Sequence, residues 1–290
     1  MNDMRYEAPT SLDAAVGLLA KATGHARVLA GGTDLLIQMR AGRVEPELVI
    51  DVKNIAEMTS IVTEDGAWRF GAAVPCMALV EDEAFSKAWP GVADGANLIG
   101  SIQVRGRATV GGNLCNASPA ADTVPAMIAA GASAVVVGPG GRREVPIEKI
   151  ATGPGKTSLA KGEIVASFKL PKRPPRSGDA YLRFIPRTEM DIAVVGAGVN
   201  LTLDDKGVCS DARVSIGAVA ATALLVPDAA AALIGTKVDA AALERLAAAV
   251  SAACRPIDDK RGTKAYRIKV AGVMARRAAQ IALERAKGTN

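Results

Sequence analysis

Residues Thr109–Asp122 read TVGGNLCNASPAAD, a run of glycine, asparagine, proline and small side chains without histidine, lysine or arginine. Much earlier in the chain, Leu29–Leu36 reads LAGGTDLL. Each stretch pairs adjacent glycines with a small hydroxyl residue, Thr33 or Thr109, beside a predicted strand end. Glycine admits positive φ and removes the Cβ that blocks close approach, so successive N–H groups can converge on an anion. A helix beginning just after such a loop adds its dipole. Two loops of this kind in one domain suit a pyrophosphate, whose phosphates take donors from two sides; either loop alone also reads as a tight turn between strands. In the second stretch Asn113 and Asn116 offer amide donors and acceptors, and Asp122 is an acceptor for a ribose or ring N–H.

Working outward, Thr10–Gly24 predicts a first helix, with Thr10 and Asp13 as a capping box and Leu12, Ala15, Val16 and Leu19 at helical spacing. Ala26–Ala30 predicts a strand, GGTD a turn, LLIQMRAG a helix closed by Gly42, and Leu48–Val52 another strand. SIVTEDGAWRFGAAV alternates around Asp65-Gly66 as a hairpin does. Residues 76–99 read as largely helical, followed by the quoted loop, a helix near 122–130, and the strands SAVVV and EIVASFKL. The segment PKRPPRSGD, Pro171–Asp179, marks the predicted domain boundary. Beyond it come two long strands, IAVVGAGVNLTL and ARVSIGAV, and then alanine-rich helices. This is an α+β pattern in two parts, without an internal repeat.

Composition narrows the function. Of 290 residues, 49% are hydrophobic and only 3% aromatic, so aliphatic side chains must build the core. The formal charge of +5 is spread in short basic clusters without interleaved aromatics, which argues against nucleic acid as a partner. The N-terminal MNDMRYEAPT lacks the apolar segment of a secretory signal, and the uncharged run Thr123–Gly141 is interrupted by Pro125, Gly131 and Pro139, so no transmembrane segment is expected. Cys76, Cys115, Cys209 and Cys254 are too far apart for a CxxC metal or cluster site, and no metal site is expected. Sparse cysteines also fit a reducing, cytoplasmic setting.

No catalytic base with a partner is visible. GPGKTS at 153–158 ends like a phosphate-binding P-loop, but Ile150 stands where its first glycine belongs, and the segment reads as a surface turn. The single histidine, His25, reads as structural, and no GxSxG nucleophile elbow occurs. Chemistry would therefore come from a bound cofactor, a dinucleotide.

Those residues resemble a known family. LAGGTDLLIQMR with LVIDVKNI, TVGGNLCNASPAADTVPAMIAAGA, GEIVASFKLP and YLRFIPRTEMDIAVVGAGV are similar, in order and spacing, to the FAD-binding medium subunit of molybdenum hydroxylases such as carbon monoxide dehydrogenase and xanthine dehydrogenase. The resemblance implies an FAD domain of the vanillyl-alcohol-oxidase (PCMH) type over 1–175, with subdomains at about 1–55 and 56–175. A C-terminal α+β domain over 176–290, an antiparallel sheet with helices, would follow. It implies that Leu29, Ala30, Gly31, Gly32, Thr33, Asp34 and Leu35, with Thr109, Val110, Gly111, Gly112 and Asn113, enclose the FAD pyrophosphate. Asp122 matches a flavin-contacting aspartate, Ile99 a residue packed on the cofactor and Ile164 a backbone contact; Arg183 is a further cofactor-binding position, standing where some relatives carry a lysine near the flavin. The implied partners are a molybdopterin-binding large subunit, a small subunit with two two-iron two-sulfur clusters, and an external electron acceptor, in a dimer of heterotrimers. The subunit would relay electrons without oxidising substrate itself. A self-contained FAD-dependent oxidoreductase is the alternative.

Overall fold

The computed structural model describes residues 4–288. Strand β1 (Arg5–Glu7) leads into helix α1 (Leu12–Lys21), whose N-cap is Ser11, its hydroxyl accepting from the Ala14 N–H at 3.2 Å. The cap therefore lies one residue beyond the Thr10 expected, because Ser11 takes the extended φ/ψ that an N-cap needs. The helix stops at Lys21, before Gly24, and buries Leu12, Ala15 and Val16. Strand β2 (Ala26–Leu29), helix α2 (Leu35–Arg40) and strand β3 (Leu48–Asp51) complete a three-stranded parallel sheet of order β1-β3-β2.

A one-turn helix α3 (Ala56–Thr59) precedes the hairpin of β4 (Ile61–Glu64) and β5 (Ala67–Gly71), which turns at Asp65 and Gly66 as the sequence predicts. Four short helices follow: α4 (Cys76–Glu81), α5 (Glu83–Ala88), α6 (Pro90–Asn97) and α7 (Ile102–Arg105). The stretch read as an open loop after them is partly helical. Its glycines fall inside α8 (Val110–Cys115), and α9 (Thr123–Ala129) follows. Strands β6 (Ser133–Gly138), β7 (Gly141–Pro146), the small β8 (Ala151–Gly153) with β9 (Lys156–Thr157), and β10 (Ile164–Leu170) end this half. The larger sheet has order β4-β5-β10-β6-β7 and is antiparallel throughout. Phe70 packs on Phe85 and Phe168 with centroids 5.6 and 5.2 Å apart, concentrating the few aromatics in one core.

Within the proline-rich segment the chain already re-enters a strand. β11 (Ser177–Phe184) pairs with β12 (Val195–Leu203), which pairs with β13 (Cys209–Gly217) and then β14 (Leu224–Leu225). Strand β11 escaped the periodicity reading because its residues run SGDAYLRF, with a glycine and three charged or polar side chains that are used rather than solvated. Helices α10 (Pro227–Ala231), α11 (Ala240–Ala253) and α12 (Lys264–Lys287) cover one face of this sheet. Ala271, Ala275, Ala278, Ala279 and Ala282 of α12 are fully buried; their small side chains let the helix lie close against the sheet. A second hydrophobic core results, separate from the first.

The two cores meet along a polar seam. The Asp179 carboxylate accepts from the Gly91 N–H at 2.9 Å and from Arg173 at 2.7 Å, and Arg285 of α12 donates to Asp94 of α6 at 2.7 Å. Asp179 is 2% exposed, so its charge depends on these partners.

Candidate functional site: a glycine-lined cleft

Between the parallel sheet and the larger antiparallel sheet lies a cleft of about 760 Å³, within the range of small-molecule and cofactor sites. Ala30, Gly31, Gly32, Thr33, Asp34 and Leu35 line one wall. Thr109, Gly111, Gly112 and Asn113 line a second, together with Ile99 and Ile164. Leu29 and Val110 lie outside the lining, their side chains buried in the core. Asp122 and Arg183 also stand back from it.

The first wall is held by the sheet behind it. Val52 N–H donates to Leu29 O at 3.1 Å, and Lys53 Nζ, paired to Asp51 at 2.7 Å, reaches Ala30 O at 3.3 Å. Gly32 sits at φ +76°, where a non-glycine residue is strained. A Cβ on Gly31 would lie 2.0 Å from the Arg107 carbonyl oxygen, so the first motif presses directly on the chain that leads into the second. Among the described residues, the backbone N–H groups of Gly31, Gly32, Thr33, Asp34 and Leu35 donate to no other group. Consecutive unpaired amides beside a cleft form an anion-binding concavity.

The second wall is built differently. Thr109 caps α8, its hydroxyl accepting from Gly112 N–H at 2.9 Å, while Gly111 N–H donates to Ala72 O at 3.2 Å. Gly111 is buried where a Cβ would lie 2.4 Å from that same oxygen; Gly112 is exposed toward the cleft, with only Thr109 Oγ1 within range of a Cβ. Asn113 Oδ1 accepts from Thr123 N–H and hydroxyl at 3.1 and 2.7 Å, fastening α8 to α9. Across the mouth, Gln38 Nε2 donates to Asn116 Oδ1 at 3.1 Å and joins the two motifs.

A third wall was not anticipated. Gly155, Thr157, Leu159, Ala160, Lys161 and Gly162 line the same cleft, so the GPGKTS segment read as a surface turn faces it. Gly155 N–H donates to Ala117 O at 3.0 Å, anchoring this wall to the end of the second motif. Gly155 and Gly162 flanking the hydroxyl and lysine residues between them were the available signal, and both take positive φ in the fold. Arg27 and His25 also line the cleft, where His25 O accepts from the Glu47 N–H at 2.8 Å.

Behind the second wall, Asp122 accepts from Arg183 Nη1 at 2.9 Å and from Tyr181 hydroxyl at 3.1 Å. Burial pushes the Asp122 carboxyl up to about 6, against the pull of Arg183 and Tyr181. Burial, with Asp122 beside it, also holds the Tyr181 phenol well above its ordinary value. Among the described residues no cluster of histidine, cysteine or acidic side chains could hold a metal ion. The cleft thus offers backbone donors and shape for an extended anionic ligand, with a charged pair one layer behind.

Comparison with known proteins gives concordant matches along the chain. The family described as the FAD binding domain in molybdopterin dehydrogenase matches residues 2–173, and the CO dehydrogenase flavoprotein C-terminal domain matches residues 180–282. The carbon monoxide dehydrogenase medium chain of Afipia carboxidovorans is 34% identical over 282 residues, covering 97% of both chains. The xanthine dehydrogenase FAD-binding subunit of Escherichia coli O157:H7 is 32% identical over 285 residues, covering 98% of this chain and 97% of its own length. A crystal structure of Cu,Mo-CO dehydrogenase superposes with a TM-score of 0.93 at 34% identity, over 97% of this chain and 98% of that one.

Proposed function

This chain belongs to the family of FAD-binding subunits of molybdenum hydroxylases, and from that premise we propose that its glycine-lined cleft holds FAD and serves electron transfer within a larger oxidoreductase. The observation that carries this reading is the run of unpaired amides from Gly31 to Leu35, set against the exposed Gly112 across the cleft. These donors suit a pyrophosphate, and the cleft, lined also by Ile99 and Ile164, has a volume of about 760 Å³ that suits a dinucleotide.

FAD bound there supplies a redox centre able to exchange one or two electrons. The chain's own residues bind and orient it. Gly31, Gly32 and Thr33 would stabilise the phosphate charge by donating their N–H groups, Gly112 would leave space for its approach, and Ile99 and Ile164 would exclude water. Among the described residues, no side chain lining the cleft is hydrogen-bonded as a nucleophile to a base, which favours a relay over substrate oxidation by this chain. In this reading Leu29 and Val110 support the loops from the core, and the residues over 1–175 and 176–290 act as an FAD domain and a C-terminal domain.

The proposed partners are a molybdopterin-binding subunit and a small subunit with two two-iron two-sulfur clusters, in a dimer of heterotrimers that passes electrons on to an external acceptor in the cytoplasm. Among the described residues no helix is long and apolar enough to cross a membrane. Gentle isolation through a tag on this chain, with flavin, iron and molybdenum assayed, is the test. Roughly one flavin to four irons to one molybdenum is expected for two such clusters; flavin alone, with no metal and no companion chains, would overturn the relay in favour of a free-standing flavoprotein.

A further inference from the structure

Strand β11 directs alternate residues across the seam between the cores. Asp179 receives the Gly91 N–H at 2.9 Å, Tyr181 hydroxyl donates to Asp122 Oδ1 at 3.1 Å, and Arg183 Nη1 donates both to Asp122 Oδ2 at 2.9 Å and to Leu98 O at 2.7 Å. The Arg183 side chain is 4% exposed, too deep for a group that merely decorates the surface. One oxygen it grips is a single residue from the cleft wall, and the other reaches that wall through Thr123. Leu98 precedes Ile99, and Asp122 precedes Thr123, which holds Asn113 through two hydrogen bonds.

We infer that Arg183 is a positioning residue for the cleft: one guanidinium from the C-terminal sheet fixes Ile99 through the Leu98 carbonyl and Asn113 through Asp122 and Thr123. The inference rests on the flavin reading and deepens it. A cleft whose lining comes entirely from residues before 166 is thereby completed by a strand that follows the domain boundary. Arginine suits the task because its planar fork offers several donors in fixed directions, whereas lysine is a point charge that satisfies one acceptor well. In this site Asp122 is faced by the Tyr181 hydroxyl and the Arg183 guanidinium of β11 and, among the described residues, by no other charged group; Asp94 of the adjacent α6 is engaged by Arg285, and Arg213 of β13 by Glu148 and the Ile128 carbonyl.

The test titrates FAD into the full-length chain freed of flavin, and follows bound-flavin fluorescence across neutral and mildly acidic pH. Wild type should show an inflection near the Asp122 transition at about 6. Arg183→Met should weaken FAD binding about tenfold or more, a change of about 1.4 kcal/mol, and move the inflection upward, since burial then acts unopposed by the cation. Arg183→Lys should restore the inflection toward its original place but recover only part of the affinity. Because an unpaired buried carboxylate can prevent folding, Asp122→Asn combined with Arg183→Met provides a neutral version, expected to lose the inflection and keep the weakened binding. Wild-type affinity in Arg183→Met or in the double variant, or an inflection unmoved by Arg183→Met, would overturn the inference. A wild-type chain that takes up no FAD at any pH would instead strike the flavin reading itself.

Discussion

The two glycine motifs share nearly the same letters, AGGTD and TVGGN, yet the fold uses them in opposite ways. In the first, the backbone departs from regular structure: Gly32 is at positive φ and consecutive amides are left without partners among the described residues. In the second, the glycines are wound into the first turn of α8, their amides taken by Thr109 and Ala72. The first is a donor surface and the second a close-packed wall with one exposed glycine. A repeated motif therefore establishes that two backbone segments come close to something, without stating whether that something is ligand or protein.

The sharpest way to break this contrast is Gly111→Val. Its Cβ meets the Ala72 carbonyl, a backbone atom that cannot swing away, so a loss of about 3 kcal/mol or more is expected in denaturant unfolding. Stability close to wild type would show that the second wall is not close-packed. Next comes Gly32→Ala, where the left-handed backbone costs about 1–2 kcal/mol. Its expected signature is FAD loss out of proportion to the change in Tm, because the distorted residue lies within the donor run; full flavin occupancy would remove the first motif from the pyrophosphate. The smallest effect is that of Thr109→Ala, which deletes the α8 cap and should cost about 1 kcal/mol. If it abolished FAD binding without lowering stability, the Thr109 hydroxyl would be a ligand contact in place of a cap.

Much of the architecture was legible before any coordinates. The Asp65-Gly66 hairpin, the apolar strand SAVVV and the amphipathic α1 each follow from short-range pattern, because period-2 and helical-period burial leave their mark directly on the order of residues. The candidate site was legible as two motifs for the same reason: adjacent glycines are costly in regular structure and stand out. The placement of α8 was misread as loop because Val110-Gly111-Gly112 has poor helix propensity; the Thr109 cap and tertiary packing against Ala72 outweigh it.

What remained hidden were relations between distant residues. Asp122 and Arg183 stand out separately in the sequence, but their pairing does not, and only the docking of β11 on α6 and α9 joins them with Tyr181 in one buried cluster. Likewise the segment from Gly155 to Gly162 joins the cleft because the β8–β9 hairpin folds back over the second motif. The sequence by itself determined the family, the α+β class and the two glycine motifs, since these rest on local propensity and on residue types that few other backbones require. Tertiary structure alone decided which amides stay unpaired, which carboxylate is buried against which cation, and which third segment closes the cleft. Hydrogen-bond partnership and desolvation depend on what the rest of the chain brings within a few ångströms.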